Sequence, residues 1–425
     1  MIGGKVTDKT SLHYVHIDEK RCVGCVLCMK ACPTKAIRVR GLKVAKIVGT
    51  CVDCGECIRV CPHGAVKATT TRDDYKAPAA NMVISASPVL YSQFGQDVLP
   101  EDIQAALQKT FEYVFDQTYF LDLYNVALEI FIKETSGKED SSRPLISPVC
   151  PVVNRLIAYR FPALLKNLSP ILTPRELAAR ELKRRIEKDD LLKKTDYGVY
   201  HITPCSAKMI SINNPMFLKT SYLDGAIGIN DVFESVKRNL PGPDETSPVS
   251  PSNSLAIGWG ISGGEIAAMG EGNYMAVSGL PETIRYLEKI EMGLFRDIEY
   301  FEFRACLEGC IGGPLTVADR YEAKRTVMNI SRMFSHDKRI RYAQAERAYR
   351  KGWFFSEKRP QQPEEAGKRS GIIHEIERQE KIAKIMEGLP GKECGFCGSP
   401  GCRSFAEDVA DGRAMLEECI RMRIR

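Results

Sequence analysis

Residues 298–313 read IEYFEFRACLEGCIGG. The run Ile298–Phe303 alternates as a strand does, and Cys306 follows closely. Cys306 and Cys310 lie four apart, a spacing that predicts both thiols on one face of a helical turn. Gly309, Gly312 and Gly313 would let the backbone approach a bulky group. Two other segments end the same way. The apolar run Leu145–Ser147 leads through Pro148 to Cys150, and Val199–Thr203 leads through Pro204 to Cys205. Three strand-like runs that each deliver a cysteine predict an α/β fold, in which sites form where loops leave the carboxyl ends of strands.

The chain has 425 residues, enough for two or three domains, with 44% hydrophobic and 27% charged residues as in ordinary globular proteins. The formal charge is +6, but bases and acids are interleaved, so a solvated mixed surface rather than a nucleic-acid partner is expected. The N-terminal stretch lacks the apolar segment of a signal peptide, and no run of about 18 apolar residues predicts membrane insertion. A cytoplasmic protein is expected. Sixteen cysteines in such a chain argue for metal rather than disulfides.

Residues 22–33 read CVGCVLCMKACP and residues 51–62 read CVDCGECIRVCP, so every cysteine recurs at an offset of 29. This is the C-x2-C-x2-C-x3-C-P run of two-cluster bacterial ferredoxins, in which the fourth cysteine serves the other cluster. One [4Fe-4S] cluster should take Cys22, Cys25, Cys28 and Cys61; the second should take Cys51, Cys54, Cys57 and Cys32. A zinc ribbon is the competing reading. Near the other end, Cys394, Cys397, Cys402 and Cys419 form a further set. Gly395, Gly398 and Gly401 ease the backbone path, and Phe405, Val409 and Met415 are expected on one face of the helix that returns Cys419. Four thiolates alone leave iron–sulfur and zinc both open there. Cys150, Cys205, Cys306 and Cys310 remain. Buried core cysteines are the bland reading, yet a fourth cluster would use all 16 cysteines as four sets of four. Four cubane sites at about −2 each would bring the net charge to about −2.

The central segments resemble the three cluster-binding loops of the [FeFe]-hydrogenase family: SPVCP at 147–151, TPCSAK at 203–208 and EFRACLEGCIGG at 302–313. The stretch SPVLYSQFGQ (87–96) and the helix-like EDIQAALQKTFEYVF after it resemble the start of that catalytic domain. The resemblance covers residues 78–345 and implies an H-cluster. Cys150, Cys205, Cys306 and Cys310 would hold its cubane. Cys310 would also attach a two-iron subcluster with CO, cyanide and a dithiolate bridge, built by separate maturation proteins. Lys208 matches the family lysine that donates to a cyanide, and Glu302 matches the glutamate of the third loop.

The expected architecture is a ferredoxin domain (1–72), a two-lobed α/β domain with the cofactor in its cleft (73–345), a linker with an amphipathic helix (346–384) and a helical iron–sulfur module (385–425). TTTRDDYKAP (69–78) should mark the first boundary and EKRPQQPEEAGKRSG (357–371) the linker. GWGISGGE (258–265) lacks the G-x-G-x-x-G order and reads as a loop, and His63 and His201 read as packing residues.

Three positions depart from the family pattern. Val149 replaces the proton-relaying cysteine, Thr203 the methionine of the second loop and Arg304 that of the third. The family's relay carboxylates would fall at Leu128 and Phe131, with Glu129 and Glu134 nearby as substitutes. Relatives without the relay cysteine include sensory hydrogenases, so slow or H2-sensing chemistry is implied. H2 and protons would be substrates, a ferredoxin or other carrier protein the redox partner, and a signalling partner is compatible. The competing reading is a non-catalytic electron-transfer or assembly protein with cubanes only.

Overall fold

The computed structural model describes residues 13–41, 44–71, 81–138, 142–189, 197–242, 245, 253–336, 340–362 and 372–423. The chain divides into two units. The smaller joins Val15–Ala68 to Gln362–Arg425; the larger holds Thr69–Gln361 with the residues up to Tyr14.

The smaller unit begins with strand β1 (Val15–Ile17). Strands β2 (Ile37–Arg40) and β3 (Val44–Ile47) form an antiparallel hairpin, and β4 (Val66–Ala68) returns beside β1. The duplication in sequence is a duplication in backbone. Left-handed residues pair at the same offset: Gly24 with Asp53, Val26 with Gly55, Lys35 with Gly64. The first two pairs lie inside the cysteine runs and the third just after them, at points where the chain must turn sharply, which right-handed backbone does not allow. The same unit contains the helices Ile372–Glu387 and Cys402–Ala410, packed through Ile382, Leu389, Phe405 and Ala406. The second of these ends earlier than its periodicity predicts. Gly412 turns left-handed, and Met415 is 69% exposed, so only Phe405 and Val409 of the expected stripe reach the core.

The larger unit is built on two parallel sheets. In one, β5 (Met82–Ala86) lies between β6 (Tyr113–Asp116) and β8 (Gly198–Thr203), with β9 (Gly225–Gly228) beyond β8. In the other, β11 (Tyr300–Arg304) lies between β7 (Leu145–Ile146) and β10 (Tyr274–Ser278). Met-Val-Ile-Ser-Ala of β5 is buried throughout, as suits a parallel strand covered on both faces. Ile84, Ile202 and Ile227 pack with the helices Pro100–Gln108 and Ile229–Asn239, while Val83, Val199 and Ala226 pack with Pro174–Lys188 and Ala207–Asn213. Strand β11 is likewise buried at all five positions, so Glu302 and Arg304 lie inside rather than on a wet face.

Residues 346–361 differ from the sequence reading. The helix Tyr342–Arg350 buries Tyr349, and Phe354 follows into the core of the larger unit, because apolar residues every few positions outweigh the charges between them. Thr69–Thr71 also belong there: Thr71 Oγ1 accepts from Ala226 N at 2.9 Å. The rest of both expected boundaries, 72–78 and 363–371, lies outside the described residues. Among the described residues, no helix is long and apolar enough to cross a membrane.

Candidate metal centres

In the smaller unit the thiols fall into interleaved groups. Burial pushes Cys28 up to about 11, and Cys22, Cys25 and Cys61 add to the rise. Burial likewise raises Cys54, with Cys57, Cys32 and Cys51 as its charged neighbours. The fourth cysteine of each run thus stands near the other run's first three. Backbone amides aim at the sulfurs: Ala36 N to Cys32 Sγ and Ala65 N to Cys61 Sγ, both at 3.3 Å and 29 residues apart. Burial also acts on Cys61, but the amides of Val66, Ala65, His63 and Gly64 outweigh it and lower the thiol. Cys394, Cys397, Cys402 and Cys419 all line one cavity with an empty volume of about 310 Å³. Burial raises Cys397, and Cys419 and Cys394 raise it further. Among the described residues no three His, Cys, Asp or Glu side chains close around a single metal ion.

In the larger unit, Cys150 follows β7, Cys205 follows β8, and Cys306 with Cys310 follow β11, so two sheets present thiols from their carboxyl ends. Cys150 and Cys205 are raised by burial and by Cys310 nearby. Thr203 Oγ1 accepts from Cys205 N at 3.2 Å and donates to its carbonyl at 3.0 Å, so the residue at the methionine position braces the loop. The segment from Cys306 to Cys310 is not the expected helical turn. Glu308 and Gly309 are left-handed, and the loop is tied to residues 260–262 by Cys310 N to Gly260 O at 2.8 Å and Ser262 N to Glu308 O at 3.0 Å. A side chain on Gly309 would meet Ser262 N at 2.5 Å, and one on Gly313 would meet Pro204 O at 2.3 Å. These glycines admit the protein's own backbone rather than a foreign group.

Three buried cations surround these thiols. Lys208 is lowered by burial, while Cys205 and Cys310 work to keep it charged. Arg175, also lowered by burial, has Cys205, Cys150 and Cys310 among its charged neighbours and donates to Val149 O at 3.2 Å. Arg304 opposes its own burial through Glu302 and Glu265, with Cys310 and Cys150 next.

Cys310, Lys208, Arg175, His201, Gln117 and Val149 line a cavity with an empty volume of about 390 Å³. Gln117 Oε1, His201 Nε2 and Arg175 Nε have no hydrogen-bond partner among the described residues. Buried polar groups are nearly always partnered, so these orphans mark a space built for a polar occupant. Burial, with Lys208 and Arg175 next, drives His201 well below its usual 6.5. Its Nδ1 lies 3.0 Å from Ser85 O; a carbonyl only accepts, so Nδ1 carries the proton and Nε2 keeps a lone pair.

Glu302 does not line that cavity. Its carboxylate accepts from the amides of Gly263 at 3.1 Å, Glu265 at 3.1 Å and Ile266 at 3.2 Å, and pairs with Arg304. Glu265, which sequence reasoning missed inside a glycine-rich loop, is the hub behind it. It accepts from Ser147, Tyr124, Tyr300 and Arg304, the last at 2.7 Å, and Arg304 lies 4.9 Å from the Trp259 ring centre. An arginine in β11 beside a glutamate was the one signal that could have suggested a second buried acid. Of the other carboxylates, Glu134 is held by Tyr349 and Arg350, and Glu129 caps Gly270 N at 3.1 Å. Leu128 is fully buried and apolar.

A chain with three cysteine-built regions of this kind is an iron–sulfur protein. Residues 14–62 match the family model for a 4Fe-4S dicluster domain, and 389–421 match one for an Fe-S cluster. Residues 80–272 match the family model "Iron only hydrogenase large subunit, C-terminal domain". Curated relatives cover short stretches only. A component of the ion-translocating oxidoreductase complex of Thiobacillus denitrificans is 42% identical over 50 residues, 12% of this chain and 27% of that protein. The Rhodobacter capsulatus counterpart is 52% identical over 40 residues, 9% of this chain and 20% of that one. The chain thus spans about a quarter or less of these relatives. An [FeFe]-hydrogenase of Chlamydomonas reinhardtii superposes with a TM-score of 0.47 at 14% identity, covering 65% of this chain and 90% of that one.

Proposed function

We propose that the protein is an iron–sulfur oxidoreductase of [FeFe]-hydrogenase type, exchanging electrons with H2 and protons slowly enough to serve as a sensor. The observation that carries this reading is the cavity at Cys310, where Lys208, Arg175 and the orphaned atoms of Gln117 and His201 converge. Cys150, Cys205, Cys306 and Cys310 would hold the cubane, and Cys310 would anchor the two-iron subcluster in the cavity. When bound, that group supplies the open iron and the base that split H2.

The chain's own residues do the rest. Lys208 and Arg175 give charge-assisted hydrogen bonds to an anionic occupant and fix its orientation. Val149 and Leu121 close the cavity with apolar surface, which excludes water and leaves no acid at the place of the relay cysteine. His201 Nε2 accepts a proton poorly, because burial and two cations oppose the imidazolium. A positioned acid or base contributes about 10²–10⁴ in rate, so turnover should be slow while the cofactor stays bound. Glu302, Glu265 and Arg304 position the loop that carries Cys310. The two ferredoxin-type sets would carry electrons to a protein carrier, and maturation proteins would supply the two-iron part.

Iron stoichiometry tests this. Full-length protein matured with a hydrogenase maturase set should hold about 18 iron atoms, against about 16 for four cubanes alone. The lower figure after maturation would leave a non-catalytic electron-transfer or assembly role.

A further inference from the structure

In the smaller unit the C-terminal thiol set is clamped against the ferredoxin-type hairpin. On the side of β2 away from β3, Val39 N donates to Gly398 O at 2.9 Å. A side chain on Gly398 would meet Val39 O at 2.1 Å, so only glycine permits this approach. Asp408, fully buried, receives Arg38 Nε at 2.5 Å and Arg40 Nη2 at 2.7 Å, both from β2. Arg40 also donates to Ser399 Oγ at 2.6 Å and Arg413 O at 2.8 Å, and its guanidinium lies 5.9 Å from the Phe405 ring centre. A buried carboxylate with two buried or half-buried arginines is not an incidental surface contact, since breaking it strands a charge.

The clamp sets the two cysteine systems side by side. Gly395, next to Cys394, faces Met29, which follows Cys28; the glycine's missing side chain would lie 3.0 Å from Met29 Cε. On the other side of Cys394, Glu393 pairs with Lys35. Met29 is fully buried, so no water layer separates the segments there.

We infer that the Arg38–Arg40–Asp408 clamp and the Gly398 contact hold the C-terminal set in electron-exchange contact with the set of Cys22, Cys25, Cys28 and Cys61. The C-terminal module is then a built-in electron port rather than a separate store. One electron leaves a reduced cluster held by Cys394, Cys397, Cys402 and Cys419 and enters an oxidised cluster at the Cys28 set. No proton or bond changes, and an external one-electron carrier protein refills the port. This rests on iron–sulfur occupancy of those two sets and not on the H-cluster, so it can fail or hold independently of the hydrogenase reading.

The test uses full-length reconstituted protein reduced with dithionite, read by electron paramagnetic resonance. The native spectrum should show broadening and fast relaxation that are absent from the sum of two signals: the C-terminal signal of Cys28→Ala, and the ferredoxin signal of Cys397→Ala. Gly398→Ala should keep all its iron, lose the coupling, and exchange its Val39 amide with deuterium at least tenfold faster. Should that variant lose module iron, Arg40→Gln, which removes donors to Ser399, Arg413 and Asp408, should lose the coupling with iron intact. A native spectrum equal to the simple sum, coupling that survives release of the Val39 amide, or zinc in place of iron at the C-terminal set would each overturn the inference.

Discussion

The ferredoxin-type sets and the central set manage buried thiolates by different means. Around Cys32 and Cys61 the neutralising groups are backbone amides four residues further along the chain. Around Cys150 and Cys205 amides act too, those of Ala305 and Val153 at Cys150 and of Lys208 at Cys205, but buried side-chain cations join them: Lys208, Arg175 and Arg304, brought from three separate elements. Amides come with the loop and survive any single substitution except one to proline. Cations can be lost singly, and each one keeps other charges company. The central site should therefore be the more fragile and the more tunable of the two.

The largest expected effect is at Arg304. Arg304→Met would leave Glu265 and Glu302 buried without their shared cation, and breaking such a pair costs about 3–5 kcal/mol. Chemical denaturation of the cluster-free chain should show that loss, with partial recovery when Glu265→Gln is added; an unchanged midpoint would mean the cation is dispensable. Next, Val149→Cys puts an acid into the cavity. H2 evolution by matured protein should rise by about 10², and an unchanged rate would place the bottleneck elsewhere.

His201 gives the central site a pH dependence on the acid side of neutrality. Folded, it stays neutral; unfolded, it takes up a proton below its usual 6.5. The unfolded state then binds more protons, so stability should fall by up to about 1.4 kcal/mol for each pH unit below 6.5. His201→Phe should flatten that slope in urea titrations of the cluster-free chain. The smallest effect lies within the repeat itself. Val26 holds a left-handed φ of 62° where its partner Gly55 holds 76°. Val26→Gly should stabilise the ferredoxin-type half by about 1 kcal/mol, raising the temperature at which its visible absorbance bleaches, whereas Gly55→Val should lower it.

This contrast also explains which parts were legible in sequence. The ferredoxin-type runs are contiguous, so the repeat is visible at once, and its resemblance to two-cluster ferredoxins pairs Cys61 with Cys28 and Cys32 with Cys57. The three strands that lead to Cys150, Cys205 and Cys306 were visible because each run is short, apolar or alternating, and followed by a proline or a charged turn. Arg175 and Glu265 were not, because nothing local distinguishes an arginine at the start of an amphipathic helix, or a glutamate after two glycines, from a solvated one. Their roles arise only when separate elements meet. The turn at Cys306–Cys310 was misread for the same reason: four-residue spacing suggests a helix, but Glu308 and Gly309 are bent left-handed by bonds to residues 260–262. The Asp408 clamp likewise joins residues some 370 apart in sequence.

The central claim is that the cavity at Cys310 holds a two-iron group oriented by Lys208 and Arg175. Infrared spectroscopy of matured full-length protein tests it most directly. The account predicts CO and cyanide stretching bands, with the cyanide bands shifting in Lys208→Ala. Fully iron-loaded cubanes without any such bands would contradict it.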